Sequence, residues 1–153
     1  MATPLAHRVN EHLSGFDRHY GLELVDCTAE AASARVPVRE EISQPYGLVH
    51  GGIYASIAES LTSLATALAV AEQGMIALGM SNATNFMRPV SEGHVNAEAR
   101  RIHAGRSSWI WDVECRDDSG RLCAVTRMTI AVRPVEPPGA AVPLPPGIRP
   151  AGA

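Results

Sequence analysis

Cysteine is scarce in this sequence: 153 residues hold only Cys27, Cys115 and Cys123. An odd number without CxxC spacing argues against both a disulfide framework and a zinc site. The three read as small buried hydrophobes in a reducing compartment. Cys115 and Cys123 flank a turn signal and could face each other across a hairpin, but adjacency alone does not make a bond. Runs of Lys or Arg are missing and the formal net charge is −3, which removes the footprint of a chain that holds nucleic acid phosphates. No nucleic acid partner is expected. No apolar stretch runs uninterrupted for the thickness of a bilayer, and the opening residues, MATPLAHRVNEHLSG, lack the core of a signal peptide. A cytoplasmic protein with no membrane partner is the expectation. The six histidines, His7, His12, His19, His50, His94 and His103, show no spacing in common use for metal ligation, so neither a metal nor an organic cofactor is expected.

What is present fits one compact domain: 46% of the residues are hydrophobic and 19% charged, enough for a single substantial core. Residues 4–18 have the character of short helical turns, placing an N-terminal helical segment at 1–19. "GLELVDCTAE" and "AASARVPVRE" read as two strands, and in the second Ala32, Ala34, Val36 and Val38 share a face. Pro37 cannot donate to a ladder, so that strand is expected at a sheet edge or with a bulge there. In "WIWDVECRD" Trp109, Trp111, Val113 and Cys115 alternate with polar or outward positions, "DDSG" turns the chain, and "RLCAVTRMTIAV" returns. The two tryptophans are read as core or interface packing. "MIALGMSNATNFMRPV" and "HVNAEARRIHAG" add two strands. The main domain is expected at 20–134. Beyond it, 135–153 is proline-rich and read as a flexible tail, since the stretch from Pro134 carries seven of the eleven prolines.

One long helix is expected at about 52–73, bracketed by Gly51-Gly52 and Gly74. It is apolar on nearly every side, as a helix surrounded by protein should be. The fold class is therefore α+β, an antiparallel sheet wrapped around one long central helix.

That helix carries a carboxylate. At 3.6 residues per turn Ser56, Glu59, Ser63 and Thr66 form one narrow polar stripe, bordered by Thr62. An ionised carboxylate buried without partners costs several kcal/mol, so Glu59 needs a partner, an opening to solvent or a use. In front of the helix stands "HGG". The first backbone N–H groups of a helix lack intrahelical acceptors and its N-terminal end is electropositive. Gly51 and Gly52 could therefore offer an N–H to a polarised carbonyl. A donor for the electrophile and a carboxylate as base or nucleophile are what acyl transfer requires. The eight positions between Gly51 and Glu59 span about 12 Å of helix, too far for both to touch one carbonyl group. The spacing implies a homodimer whose two sites each take Gly51 from one chain and Glu59 from the other.

Through "GLVHGG", Ala58-Glu59, "SNATNFMRPVSEGHV", "EARRIHAG", "WDV" and "DDSGRLCAV", about residues 18–134, the chain resembles the hotdog-fold acyl-CoA thioesterases, in particular the glutamate-type 4-hydroxybenzoyl-CoA thioesterases. The resemblance implies a hotdog fold, dimers formed by joining sheets, and often a dimer of dimers. It implies Glu59 as the catalytic carboxylate, Gly51 as the donor to the thioester oxygen and Gln44 as a group orienting carbonyl or water. His50 would shape the start of the helix and Ser63 would assist by hydrogen bonding. The CoA phosphates need cations, for which Arg88, Arg101 and the loop at Gly105 are candidates beside Gly52 at the helix start, and the resemblance places Arg106 and Ser107 where the CoA arm runs. Two departures stand out: Arg106 replaces a small hydroxyl residue, and a proline-rich stretch replaces a basic end.

The expected activity is hydrolysis of an aromatic acyl-CoA, 4-hydroxybenzoyl-CoA-like, to free acid and CoA. A 1,4-dihydroxy-2-naphthoyl-CoA hydrolase and a broad-range acyl-CoA thioesterase share the same site. A non-catalytic acyl-CoA-binding module is the alternative of another class, with no need for a carboxylate at 59. A hydratase would need an acid–base pair of Asp and His, which the sequence does not offer.

Overall fold

The computed structural model describes residues 1–144. Its elements run α1 (Pro4–His12), α2 (Gly15–Tyr20), β1 (Glu23–Cys27), β2 (Ala31–Pro37), α3 (Gly51–Val70), β3 (Met75–Phe86), β4 (His94–Ala104), β5 (Ser108–Arg116) and β6 (Leu122–Pro134). The six strands form one antiparallel sheet in the order β1-β2-β4-β5-β6-β3. Two strands, a helix and four strands is the order expected from the sequence.

Helix α3 lies in the hollow of this sheet. Ile57, Ala58, Leu61 and Ala65 are completely buried along it, and each larger aliphatic side chain so buried contributes about 1.5–3 kcal/mol. Facing them, the sheet grades from small to large. Ala32 pairs with Ala99 and Ala34 with Ala97 across β2 and β4, while Trp111, Val113, Met128 and Ile130 fill the middle of the core. The alternation expected around Trp109 and Trp111 is present, since 109, 111, 113 and 115 are all buried. The helix runs into a 3₁₀ turn at Ala71–Gln73 and stops at Gly74, whose φ of 68° reverses the chain into β3. This is the hotdog arrangement.

The two sheet edges are treated differently. At β1, the side-chain amide of Asn10 in α1 takes the place of a neighbouring strand. Its Nδ2 donates to Leu24 O and its Oδ1 accepts from Leu24 N–H, both at 2.8 Å. At the other edge, among the described residues, β3 pairs only with β6 and presents a free flank twelve residues long, the kind of surface that recruits a further strand.

Pro37 does not mark an edge. β2 lies inside the sheet, and Pro37 is its last residue, paired with His94 and lying past Glu23, where β1 begins. The missing N–H therefore faces no partner strand, and the irregularity falls in β1, between Leu24 and Asp26. All three cysteines are buried and free, so Cys115 and Cys123 form no bond. By length and composition α3 with its 3₁₀ extension would suffice to cross a membrane, but half of that window is buried within the protein. Of the expected tail, residues 145–153 lie outside the described part. Within it Val135 is buried, with its N–H on Gly74 O at 3.0 Å, and Leu144 packs on the core.

Candidate active site

The start of α3 is fixed by backbone bonds on both sides: Val49 N–H donates to Val90 O at 2.8 Å and His50 N–H to Ile42 O at 2.9 Å. His50 is the N-cap. Its Nδ1 accepts the Gly52 N–H at 2.9 Å, so the Gly52 amide, expected to face substrate, is already engaged. The Gly51 N–H has no acceptor among the described residues. Gly51 is a glycine for reasons of space, because a Cβ there would come within 3.1 Å of the Phe86 ring. Gln44, Gly51, Tyr54, Phe86 and Arg88 line a hollow of about 350 Å³. Tyr54 is buried and its hydroxyl has no hydrogen-bond partner among the described residues. Burial, then the nearby Cys123, Cys115 and Asp117, push this phenol up to about 12.

Glu59 sits two turns further along and faces a different and larger cleft, about 860 Å³. Ser63 Oγ donates to Glu59 Oε1 at 2.9 Å. Ser56 and Ser63 share this cleft with Glu59, as the polar stripe implied, but Thr66 does not. Thr66 is fully buried and its Oγ1 accepts the indole N–H of Trp111 at 3.0 Å. Helical periodicity fixes the relative directions of side chains and leaves open which direction the sheet occupies.

Ser60 takes the place that Thr66 vacates, on the other side of the stripe. Its Oγ donates to Asp17 Oδ1 at 2.6 Å and accepts from Tyr20 OH at 3.1 Å. Burial holds the Tyr20 phenol protonated well above its ordinary range, against the opposing pull of Ser60. The relay therefore runs one way, from Tyr20 through Ser60 to the Asp17 carboxylate, and Asp17 and Ser60 both line the cleft. The remaining wall is apolar, built from Val9 and Leu13 of α1, Phe16 of α2, and Leu22, Leu24 and Leu64.

Strand β3 closes the cleft. A bulge at Met80 shifts its phase, so that Ala77 and Gly79 before it and Asn82, Thr84 and Phe86 after it all turn toward α3. Asn82 Nδ2 donates to Ala55 O at 2.9 Å, and Thr84 Oγ1 donates to Asn82 Oδ1 at 2.7 Å. Sequence reading missed Asp17, Ser60, Gly79 and Asn82. A strand alternation that breaks at Gly79-Met80 was the one available signal for the last two.

The expected site residues thus fall into three groups. Glu59 and Ser63 line the large cleft; Gly51, Gln44 and Arg88 line the small one, with His50 and Gly52 flanking Gly51 in the chain; Phe86 borders both. Arg101, Gly105, Arg106 and Ser107 line neither. Arg101 is committed elsewhere: its guanidinium lies 4.7 Å from the Trp109 ring centre, bonds Ala29 O and approaches Glu30. Gly105 closes the β4–β5 turn through its N–H on Ser108 O, and Ser107 O accepts from Arg133. Arg106 is exposed. Among the described residues no three His, Cys, Asp or Glu side chains gather in a way that could hold a metal ion.

A sheet wrapped on a central helix is the hotdog fold, and here a carboxylate of that helix opens into a largely apolar cleft. Residues 46–124 match the Thioesterase superfamily, and the chain belongs to that family. It is 38% identical to the proofreading thioesterase EntH of Klebsiella pneumoniae over 74% of this chain and 82% of that one. With the 1,4-dihydroxy-2-naphthoyl-CoA hydrolase of Listeria monocytogenes it shares 31% identity over 78% of this chain and 96% of the other. A crystal structure of a thioesterase from Haemophilus influenzae superposes with a TM-score of 0.82 at 30% identity, covering 90% of this chain and 96% of that one. The protein is a thioester hydrolase.

Proposed function

We propose that the protein hydrolyses an aromatic acyl-CoA whose ring bears a hydroxyl, a 4-hydroxybenzoyl-CoA-like substrate, and that two chains build each site. The observation that carries this reading is the cleft of Glu59: an apolar pocket with one carboxylate, Glu59, held by Ser63, and a second, Asp17, held by Ser60 on its wall. The apolar wall suits a ring, and Asp17 offers an acceptor to a ring hydroxyl.

Glu59 keeps one oxygen on Ser63 and has the other for chemistry. It either attacks the thioester carbonyl carbon, expelling CoA thiolate and leaving an anhydride that water cleaves, or takes a proton from water as the water attacks. The developing oxyanion needs a donor, and the unpaired Gly51 N–H at the positive end of α3 is suited to it. Phe86 borders both the hollow of Gly51 and the cleft of Glu59, and the two residues stand about 12 Å apart along one helix, which favours Gly51 of a second chain as the donor. The exposed β3 flank offers the surface for that pairing, with a dimer of dimers as the larger assembly. Gln44 and Arg88 lie beside Gly51, suited to orienting the thioester and meeting the CoA arm. The reaction calls for no metal or organic cofactor, CoA being part of the substrate. The relatives' names include a 1,4-dihydroxy-2-naphthoyl-CoA hydrolase, an acyl group that the same ring-plus-hydroxyl logic accommodates.

The test is thiol release from benzoyl-, 4-hydroxybenzoyl-, dihydroxynaphthoyl-, phenylacetyl- and fatty acyl-CoA. Hydroxylated aryl substrates should give the highest kcat/KM, and Glu59→Ala should lower kcat by about 10³-fold or more. A preference for fatty acyl chains would overturn the acyl class, and an active Glu59→Ala enzyme would overturn the site. For the shared site, Glu59→Ala chains are mixed with Gly51→Pro chains. Proline removes the N–H and suits a first helical position, and His50 already has the extended backbone it requires, with φ −64° and ψ 135°; its Cβ needs the exposed Phe86 ring to give way, so Gly51→Ala, which adds that Cβ and keeps the N–H, is the control. Mixed dimers should recover activity; inactive mixed dimers would exclude sharing.

A further inference from the structure

Gly79 occupies the interior of β3, where glycine weakens a strand and supplies no side chain to pack. Its backbone gives no reason for it, because its φ is not in the left-handed range. The reason is contact: a Cβ at residue 79 would lie 2.7 Å from Glu59 Oε1, against 3.4 Å and 3.5 Å from Glu59 Cγ and Cδ. The three atoms nearest that missing methyl all belong to the Glu59 side chain, and the one it would strike is the oxygen that Ser63 holds.

We infer that Gly79 is a positioning residue for the hydrolysis: the bare backbone of the edge strand is the surface against which the Glu59 carboxyl group rests. This rests on the reading of Glu59 as the catalytic carboxylate. Two constraints then fix the acid. Ser63 pins Oε1 from one turn further along the helix, and the β3 backbone at residue 79 limits how far the group can lie toward the sheet. A methyl at 79 leaves the strand and helix where they are, because the group it strikes is the far end of a flexible side chain. The carboxyl end turns away from β3, and Oε1 leaves Ser63. The bulge at Met80 belongs to the same device, since it lets the strand present glycine to Glu59 and, three residues on, Asn82 to the helical turn that carries Glu59.

The experiment uses the full chain and 4-hydroxybenzoyl-CoA. Gly79→Ala should melt as wild type does and bind CoA with unchanged Kd, and KM should change by about twofold or less. Its kcat should fall by about 10²-fold, the cost of misplacing a reacting group by about 1 Å. Its crystal structure should show Glu59 Oε1 outside hydrogen-bond distance of Ser63 Oγ. A kcat within about twofold of wild type, or an unmoved carboxylate, overturns the inference while leaving Glu59→Ala to judge the function separately. An active Glu59→Ala enzyme overturns both. Should Gly79→Ala fail to fold, the double variant Gly79→Ala, Glu59→Ala decides. Recovery of folding shows that the methyl meets Glu59, and continued failure shows that glycine serves the strand alone.

Discussion

Ser63 Oγ donates to Glu59 Oε1 at 2.9 Å, from one turn of α3 to the next. A hydroxyl that serves a carboxylate in this way aims it and takes up part of its charge. Ser63→Ala should lower kcat about tenfold, the worth of a charge-assisted hydrogen bond, with little change in KM. Ser63→Thr should retain more activity than Ser63→Ala. Steady-state kinetics on the three enzymes checks both, and equal kcat values would remove Ser63 from the reaction.

Asp17 bears on substrate choice. If its carboxylate receives a ring hydroxyl, Asp17→Ala should reduce the kcat/KM ratio of 4-hydroxybenzoyl-CoA to benzoyl-CoA by about tenfold or more, because a buried hydroxyl then lacks its acceptor. Benzoyl-CoA itself should be turned over almost as before. The measurement is the ratio of the two substrates in each enzyme, and an unaltered ratio would assign Asp17 to holding Ser60 and Tyr20 alone.

Asn82 ties the edge strand to the helix at the Ala55 carbonyl, which also accepts the Glu59 N–H within α3. Asn82→Ala should cost about 1 kcal/mol, read as a Tm lower by about 3 °C. Its kcat should fall more than that loss of stability explains at assay temperature, where the enzyme stays folded. Calorimetry and kinetics on the same preparation test the two parts.

Burial pushes the Cys27 and Cys115 thiols up to about 12 and raises Cys123 as well, with neighbouring charges adding to or opposing it. At pH 8 all three are therefore protonated, and the thiolate is the reactive form. The native protein should release almost no colour from an aromatic disulfide reagent at that pH. In guanidinium chloride it should release that of three thiols. Fast reaction of the native protein would show an opening that the fold does not.

The sequence carried much of this because its signals are local. Glycines on both sides of the long helix marked its ends to within a turn, and the alternation through Trp109 and Trp111 marked a strand with a dry face. What it did not carry depends on partners far along the chain. Pro37 has the chemistry of an edge, yet whether β2 lies inside the sheet is decided by where β1 and β4 begin. Thr66 has the spacing of the polar stripe, yet it turns to an indole 45 positions away in sequence. Asp17 and Ser60 meet across 43 positions, and nothing around Asp17 sets it apart from a surface acid. Arg101 looked free for a phosphate because the ring it lies over comes from β5 and the carbonyl it bonds from the turn between β1 and β2.

Among the described residues β3 pairs with β6 and with no other strand, and β6 leaves the ribosome after the other five. Until about residue 134 has emerged, β3 has nothing to join, and neither Gly79 nor Asn82 can take its place beside α3. A nascent chain stalled short of that point would leave α3 without its cover from β3 and β6, and Glu59 with Ser63 but without the backbone of Gly79. The surroundings of Glu59 are thus completed only when β6 has joined the sheet, and a chain truncated before β6 would lack the strand that holds Gly79 and Asn82 against the helix.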